Sequence, residues 1–188
     1  MAHRHSKLLN FSDSVFIMID MQQGLISAMP NDVAIATVKN TQRLLTAATT
    51  LDIPIMVTEQ YPQGLGATVT ELAELIDSEN VIEKTSFSCA KVRTFMKRLD
   101  DMGRKQVVLA GMESHICVLQ TALDFLAQGF HVYVVEDAIC SRDSNNKANA
   151  IHRMRDLGVN VTNMESVLFE WLGDAAHPQF KALSKLVV

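Results

Sequence analysis

Several stretches of this chain are apolar at almost every position yet too short to be helices. Val15-Phe16-Ile17-Met18-Ile19 is the clearest. Ile53-Pro54-Ile55-Met56-Val57-Thr58, the run over 106–110 and His131 to Val135 follow the same pattern. A strand that alternates apolar and polar residues has one wet face; a continuous apolar run implies burial on both faces. Segments with helical spacing separate these runs. Residues 32–51 place Val33, Ile35, Ala36, Val38, Leu44, Leu45 and Ala48 at that spacing, with Asn31 or Asp32 as cap. The pattern also predicts a short helix over 71–76, and one over 90–101 with Val92, Phe95, Met96 and Leu99 on one face. Further helices run from Cys117 to near Gly129 and over 144–157, closed by Gly158. Brief strands are expected at 81–82 and 159–161, a loop over 59–67, and a helical tail from Glu165 with a break at His177-Pro178. Strands alternating with helices give right-handed crossovers and a parallel sheet covered on both faces, a three-layer α/β fold.

The 188 residues, 48% of them hydrophobic, suit one globular domain, with a core over about residues 13–170 and a helical tail over 171–188. A net charge of −4 does not favour nucleic acid or an anionic membrane as partner. No apolar run approaches the ~20 residues that span a bilayer. Three cysteines, an odd number, with no secretory signal pattern at the start, argue for a reducing compartment. The expected location is the cytoplasm, with mitochondria as the alternative. His3 and His5 are assigned to a mobile terminus.

In parallel sheets, ligands bind beyond the carboxyl ends of the strands. Asp20, Glu59, Lys84, Glu113 and Asp137 each follow an apolar run, so a parallel sheet gathers them at one edge. Cys117 lies beyond the run at 106–110, in a strand–turn–helix setting. Unpaired N–H groups and the helix dipole there favour thiolate, the nucleophilic form. A cysteine hydrolase follows from these types: Cys117 as nucleophile, Asp20 as proton acceptor, and Lys84 to stabilise the thiolate and orient the carboxylate. Backbone N–H groups near Glu113 and Cys117 would hold the oxyanion, each contributing ~3 kcal/mol.

Three blocks resemble the isochorismatase-like cysteine hydrolase superfamily. They are Ile17-Met18-Ile19-Asp20-Met21-Gln22, Glu83-Lys84-Thr85-Ser86-Phe87-Ser88 and Ala110-Gly111-Met112-Glu113-Ser114-His115-Ile116-Cys117-Val118. Thr58-Glu59-Gln60-Tyr61-Pro62, Gly64-Leu65-Gly66 and Glu136-Asp137-Ala138-Ile139-Cys140-Ser141-Arg142 resemble its small isochorismatase-domain subgroup. The resemblance implies a Rossmann-like, mostly parallel six-stranded sheet and a triad of Asp20, Lys84 and Cys117. It also implies a cis peptide at Met112–Glu113 beside the oxyanion site, and a homo-oligomer. Nicotinamidases of this superfamily carry metal-binding histidines after the second strand. Glu59, Gln60 and Tyr61 stand there instead, so neither a metal nor a cofactor is expected.

The resulting expectation is a metal-independent hydrolase of a small amide-like C–N bond, working through a Cys117 thioester. Gln22, Glu59, Gln60, Tyr61 and Phe87 are candidates for the substrate pocket, Phe87 being either wall or core. The alternatives are a scaffold that keeps the fold without turnover, and nucleic-acid processing. Cys89 and Cys140 read as small buried hydrophobes, and methionines 18, 21, 29 and 56 as packing. His115 stands two residues from Cys117, a spacing that does not face it on a helix, and is given a structural or interface role. Trp171 is a candidate for a subunit contact.

Overall fold

In a computed structural model, which describes residues 7–187, the apolar runs lie side by side in a six-stranded sheet. His3 and His5 lie outside the described residues. The strands are β1 (Ser14–Ile19), β2 (Ile55–Gln60), β3 (Val81–Lys84), β4 (Gln106–Met112), β5 (His131–Cys140) and β6 (Asn160–Thr162). Their order is β3-β2-β1-β4-β5-β6 and every pairing is parallel. The helices are α1 (Gln23–Ile26), α2 (Asn31–Thr50), α3 (Pro62–Leu65), α4 (Thr70–Ala73), α5 (Arg93–Asp101), α6 (Leu119–Ala127), α7 (Ser144–Asp156), α8 (Met164–Leu172) and α9 (Phe180–Leu183).

The apolar runs explain the layering. In β1, Phe16 and Met18 pack with Leu44, Leu45 and Leu168 from α2 and α8 on one face. Val15, Ile17 and Ile19 pack with Phe95, Leu99, Phe125 and Met154 from α5, α6 and α7 on the other. Every β1 and β4 residue is buried, because both strands have neighbours on each side and helices above and below.

β2 starts at Ile55 instead of residue 53, since Pro54 has no N–H to give the ladder. Pro54 still accepts the Phe16 N–H at 2.9 Å. The strand also runs on to Gln60, because Glu59 and Gln60 pair with Glu83 and Lys84. β5 extends past residue 135 to Cys140 through a register shift between Leu109 and Gly111, after which Ile139 and Cys140 pair with Gly111 and Met112. Asp137 therefore lies inside a strand, away from the edge expected for it. It anchors helices: its Oδ1 accepts the Met164 N–H at 2.8 Å and its carbonyl accepts Asn40 Nδ2 at 2.9 Å.

Trp171 is a core residue, which removes it from any subunit contact. Its ring meets Phe16 edge-on, and its Nε1 donates to the buried Ser14 Oγ at 3.0 Å. The indole thus finds both its apolar contact and its hydrogen-bond partner inside the protein. Among the described residues, no helix is long and apolar enough to cross a membrane.

Candidate active site

Strands β3, β2, β1 and β4 lie in that order and run parallel, so their carboxyl ends share one edge of the sheet, and that edge supplies the site. Asp20 follows β1, Lys84 closes β3, and β4 leads through Glu113 into a π-helical turn, Ser114–Val118, that carries Cys117. Asp20 has a left-handed backbone (φ 52°), a conformation aspartate tolerates better than most residues. Its carbonyl accepts the Gln22 N–H and its own N–H donates to the Thr58 carbonyl, so the chain turns sharply and leaves the carboxylate inside. Gly111, paired with Ile19, allows β4 to pass at this point; a Cβ there would sit 2.0 Å from the Ile19 carbonyl oxygen.

The Lys84 ammonium lies 2.6 Å from Asp20 Oδ2, and neither side chain has any exposed surface. It also donates to Gln60 Oε1 at 2.7 Å and to the Ser86 and Phe87 carbonyls at 3.3 and 3.2 Å. Thr58 Oγ1 donates to Asp20 Oδ1 at 2.7 Å. Cys117, 5% exposed as a residue, lies near enough to the same carboxylate for each to shift the other's pKa. Acid, amine and sulfur, distant in sequence, thus meet in one buried cluster.

The electrostatics reverse one expectation. Cys117 is pushed well above an ordinary thiol, first by burial and then by the Asp20 charge, with Lys84 opposing. Burial and an adjacent carboxylate outweigh the helix-end effects that favour thiolate. Burial also raises Asp20, against the attraction of Lys84 and hydrogen bonds from Lys84, Thr58 and Cys117. The shift at Cys117 works against a free thiolate there.

The turn before Cys117 is tied down. The Met112–Glu113 peptide is cis. The buried Glu113 carboxylate accepts the Arg142 N–H at 3.0 Å and Arg142 Nε at 3.2 Å. His115 Nδ1 pairs with Ser141 Oγ at 2.9 Å, a structural contact. Ser114 Oγ is buried with no hydrogen-bond partner among the described residues.

The pocket candidates divide. Gln22 uses its amide on the chain itself: Oε1 accepts the Gln60 N–H at 2.7 Å, and Nε2 donates to the Gln60 and Gly66 carbonyls. Glu59 turns to the following loop, accepting from the Thr68 N–H and Oγ1, both at 2.7 Å. Gln60 bridges Lys84 and the Thr85 carbonyl. Tyr61 and Phe87 are 56% and 52% exposed, so Phe87 is not core, and each bonds Lys84 through its backbone. Among the described residues no group of three or more histidine, cysteine, aspartate or glutamate side chains could hold a metal ion.

Cys140 is buried as expected, but Cys89 does more than fill space. Its thiol lies 3.9 Å from Thr58 Oγ1 and its N–H donates to Thr121 Oγ1 at 3.1 Å. Thr58, Cys89 and Arg142 are the contributors that sequence reasoning missed. Thr58 carried one readable signal, since it closes the apolar run of β2 level with the end of β1.

The isochorismatase domain model matches residues 14–166. This chain belongs to the isochorismatase family. It is 40% identical over 174 residues to isochorismatase domain-containing protein 1 of Salmo salar, a match that covers 93% of this chain and 60% of the relative. The chain therefore spans well under two thirds of that relative's length. Among solved structures, the MAR1 ribonuclease from Caenorhabditis elegans superposes with a TM-score of 0.89 at 34% identity, covering 96% of this chain and 92% of that one. The YcaC gene product of Escherichia coli, an octameric hydrolase of unknown specificity, gives 0.88 at 25% identity, covering 95% and 88%.

Proposed function

We propose that this isochorismatase-family chain is a metal-independent cysteine hydrolase of a small amide-like C–N bond. The observation that carries the reading is the buried Asp20 carboxylate, paired with the Lys84 ammonium at 2.6 Å and electrostatically coupled to the buried Cys117 thiol. In the first step Asp20 takes the thiol proton as sulfur attacks the carbonyl carbon, and the C=O electron pair moves to oxygen. The N–H groups of Glu113 and Cys117 hold that oxyanion. The C–N bond then breaks, Asp20 returns its proton to the departing amine, and an acyl thioester remains. Water, deprotonated by Asp20, attacks the thioester and releases the acid and the thiol. A thiol kept protonated at rest fits this use of a base, because its proton leaves only as the new bond forms. Lys84 keeps the carboxylate in place and offsets the negative charge that the site carries in each step. Tyr61 and Phe87, exposed beside Lys84, are the side chains best placed to meet a substrate.

A panel of small primary and secondary amides, followed by amine release, tests the reading. Cys117→Ala is expected to lower turnover by at least ~10³-fold, and a slow substrate should add an acyl mass to wild type alone. Equal turnover in the variant would rule the thioester route out.

One comparison favours a second reading, cleavage of RNA, because the C. elegans structure is that of a ribonuclease. The net charge of −4 works against a polyanionic substrate. Cleavage of labelled RNA that Cys117→Ala abolishes, with no amide turned over, would put this reading first. The octameric relative further supports a homo-oligomer, which light scattering on the purified chain would measure.

A further inference from the structure

Thr58 holds Asp20 twice. Its carbonyl accepts the Asp20 N–H at 3.0 Å, and its hydroxyl donates to Oδ1 at 2.7 Å. Lys84 takes the other carboxylate oxygen at 2.6 Å. A carboxylate turns easily about its Cβ–Cγ bond, and a donor fixed on each oxygen removes that freedom. Behind Thr58 stands Cys89, whose thiol donates to Thr58 Oγ1 across 3.9 Å. A threonine hydroxyl has one hydrogen and two acceptor positions. A neighbour that fills an acceptor position leaves the hydrogen for Asp20. Cys89 is itself fixed by its N–H bond to Thr121 on α6, the helix that continues from the Cys117 turn.

We propose that Thr58 is a positioning residue for the Asp20 base, with Cys89 orienting its hydroxyl. The inference rests on the reading of Asp20 as the proton acceptor of Cys117. The groups that face Asp20 are Lys84 from β3, Cys117 from the π-helical turn, Cys89 from the segment after β3, and the neutral hydroxyl of Thr58 from β2. The hydroxyl bond is made to the carboxylate and favours it over the acid form. Without that bond Asp20 keeps its proton to higher pH, and a protonated Asp20 cannot accept one from Cys117. The onset of Cys117 reactivity then moves up in pH.

The test needs no knowledge of the substrate. Carbamidomethylation of Cys117 by iodoacetamide is followed against pH by peptide mass spectrometry on the full chain, with Cys89 and Cys140 as internal references. Thr58→Val, which keeps the shape and loses the hydroxyl, is expected to raise the midpoint of the rate profile by about one pH unit. Thr58→Ala, a second route to the same loss, should move it the same way if the valine variant does not fold. Thr58→Ser should restore the wild-type midpoint, and Cys89→Ala should shift it upward by a smaller amount. A thermal melt of each variant separates loss of fold from loss of the bond. A folded valine or alanine variant with the wild-type profile overturns the proposal, as does a serine variant shifted as far as valine. An unshifted Cys89→Ala removes Cys89 from it. Wild-type Cys117 reacting no faster than Cys89 and Cys140 would overturn the nucleophile reading and this inference together.

Discussion

Lys84 illustrates how one side chain can be both a liability and a fixture. Four oxygens share its three hydrogens, and no part of its side chain is exposed. Two opposite charges out of water are tolerated because each neutralises the other, while either alone is costly. Lys84→Met should therefore destabilise by about 3–5 kcal/mol in urea unfolding, because the Asp20 carboxylate loses its counter-charge. The double change Asp20→Asn with Lys84→Met is expected to recover most of that loss. A double variant no more stable than the single one would show that packing, and not charge, sets the cost. The two partners of this pair were legible as strand-end residues. Cys89 was not, and Thr58 only as the residue that closes an apolar run, because their polar contacts join positions 38 and 31 residues apart and neither residue type is rare in a core.

At the level of elements, the site depends on β1 and β4 touching. Gly111 has φ 125° and no room for a Cβ, since the obstacle is the Ile19 backbone, which cannot swing aside as a side chain can. Gly111→Ala is expected to cost more than about 4 kcal/mol and to leave little cooperative unfolding by circular dichroism. A milder change probes α7, whose N-cap Asp143 accepts the Asn145 N–H at 2.7 Å. Asp143→Ala should lower stability by about 1 kcal/mol. The alternating apolar runs and helical segments were enough to forecast this architecture, because a strand buried on both faces forces helices on both sides of the sheet. The ends of β2 and β5 escaped that reasoning: pairing partners decide where a ladder stops, and those partners are distant in the chain.

Across the whole molecule, the buried thiols make stability depend on alkaline pH. Cys89 is raised from 9.0 to about 11 by burial, and Cys117 and Cys140 are raised too. The folded state keeps these protons to higher pH than the unfolded chain does. Stability is thus fully present below pH 9 and falls as pH rises towards 11. Cys89 alone accounts for about 3 kcal/mol over that window. Urea unfolding at a series of pH values should show the decline, and Cys89→Ala should flatten it. An identical slope in that variant would mean that other groups drive the alkaline loss.

The amino-acid order was enough for the layered fold and for the acid, the amine and the sulfur as candidates, because apolar runs, helical spacing and residue type are local properties of the chain. Packing in three dimensions set what surrounds those groups and what holds them. The helix-end rule pointed Cys117 towards thiolate; burial and then the Asp20 charge push its pKa the other way. It likewise moved Trp171 into the core and gave Gln22 and Glu59 to the loops. Burial and hydrogen-bond partnership are set by what surrounds a side chain in space, and those neighbours come from strands and loops distant in the chain.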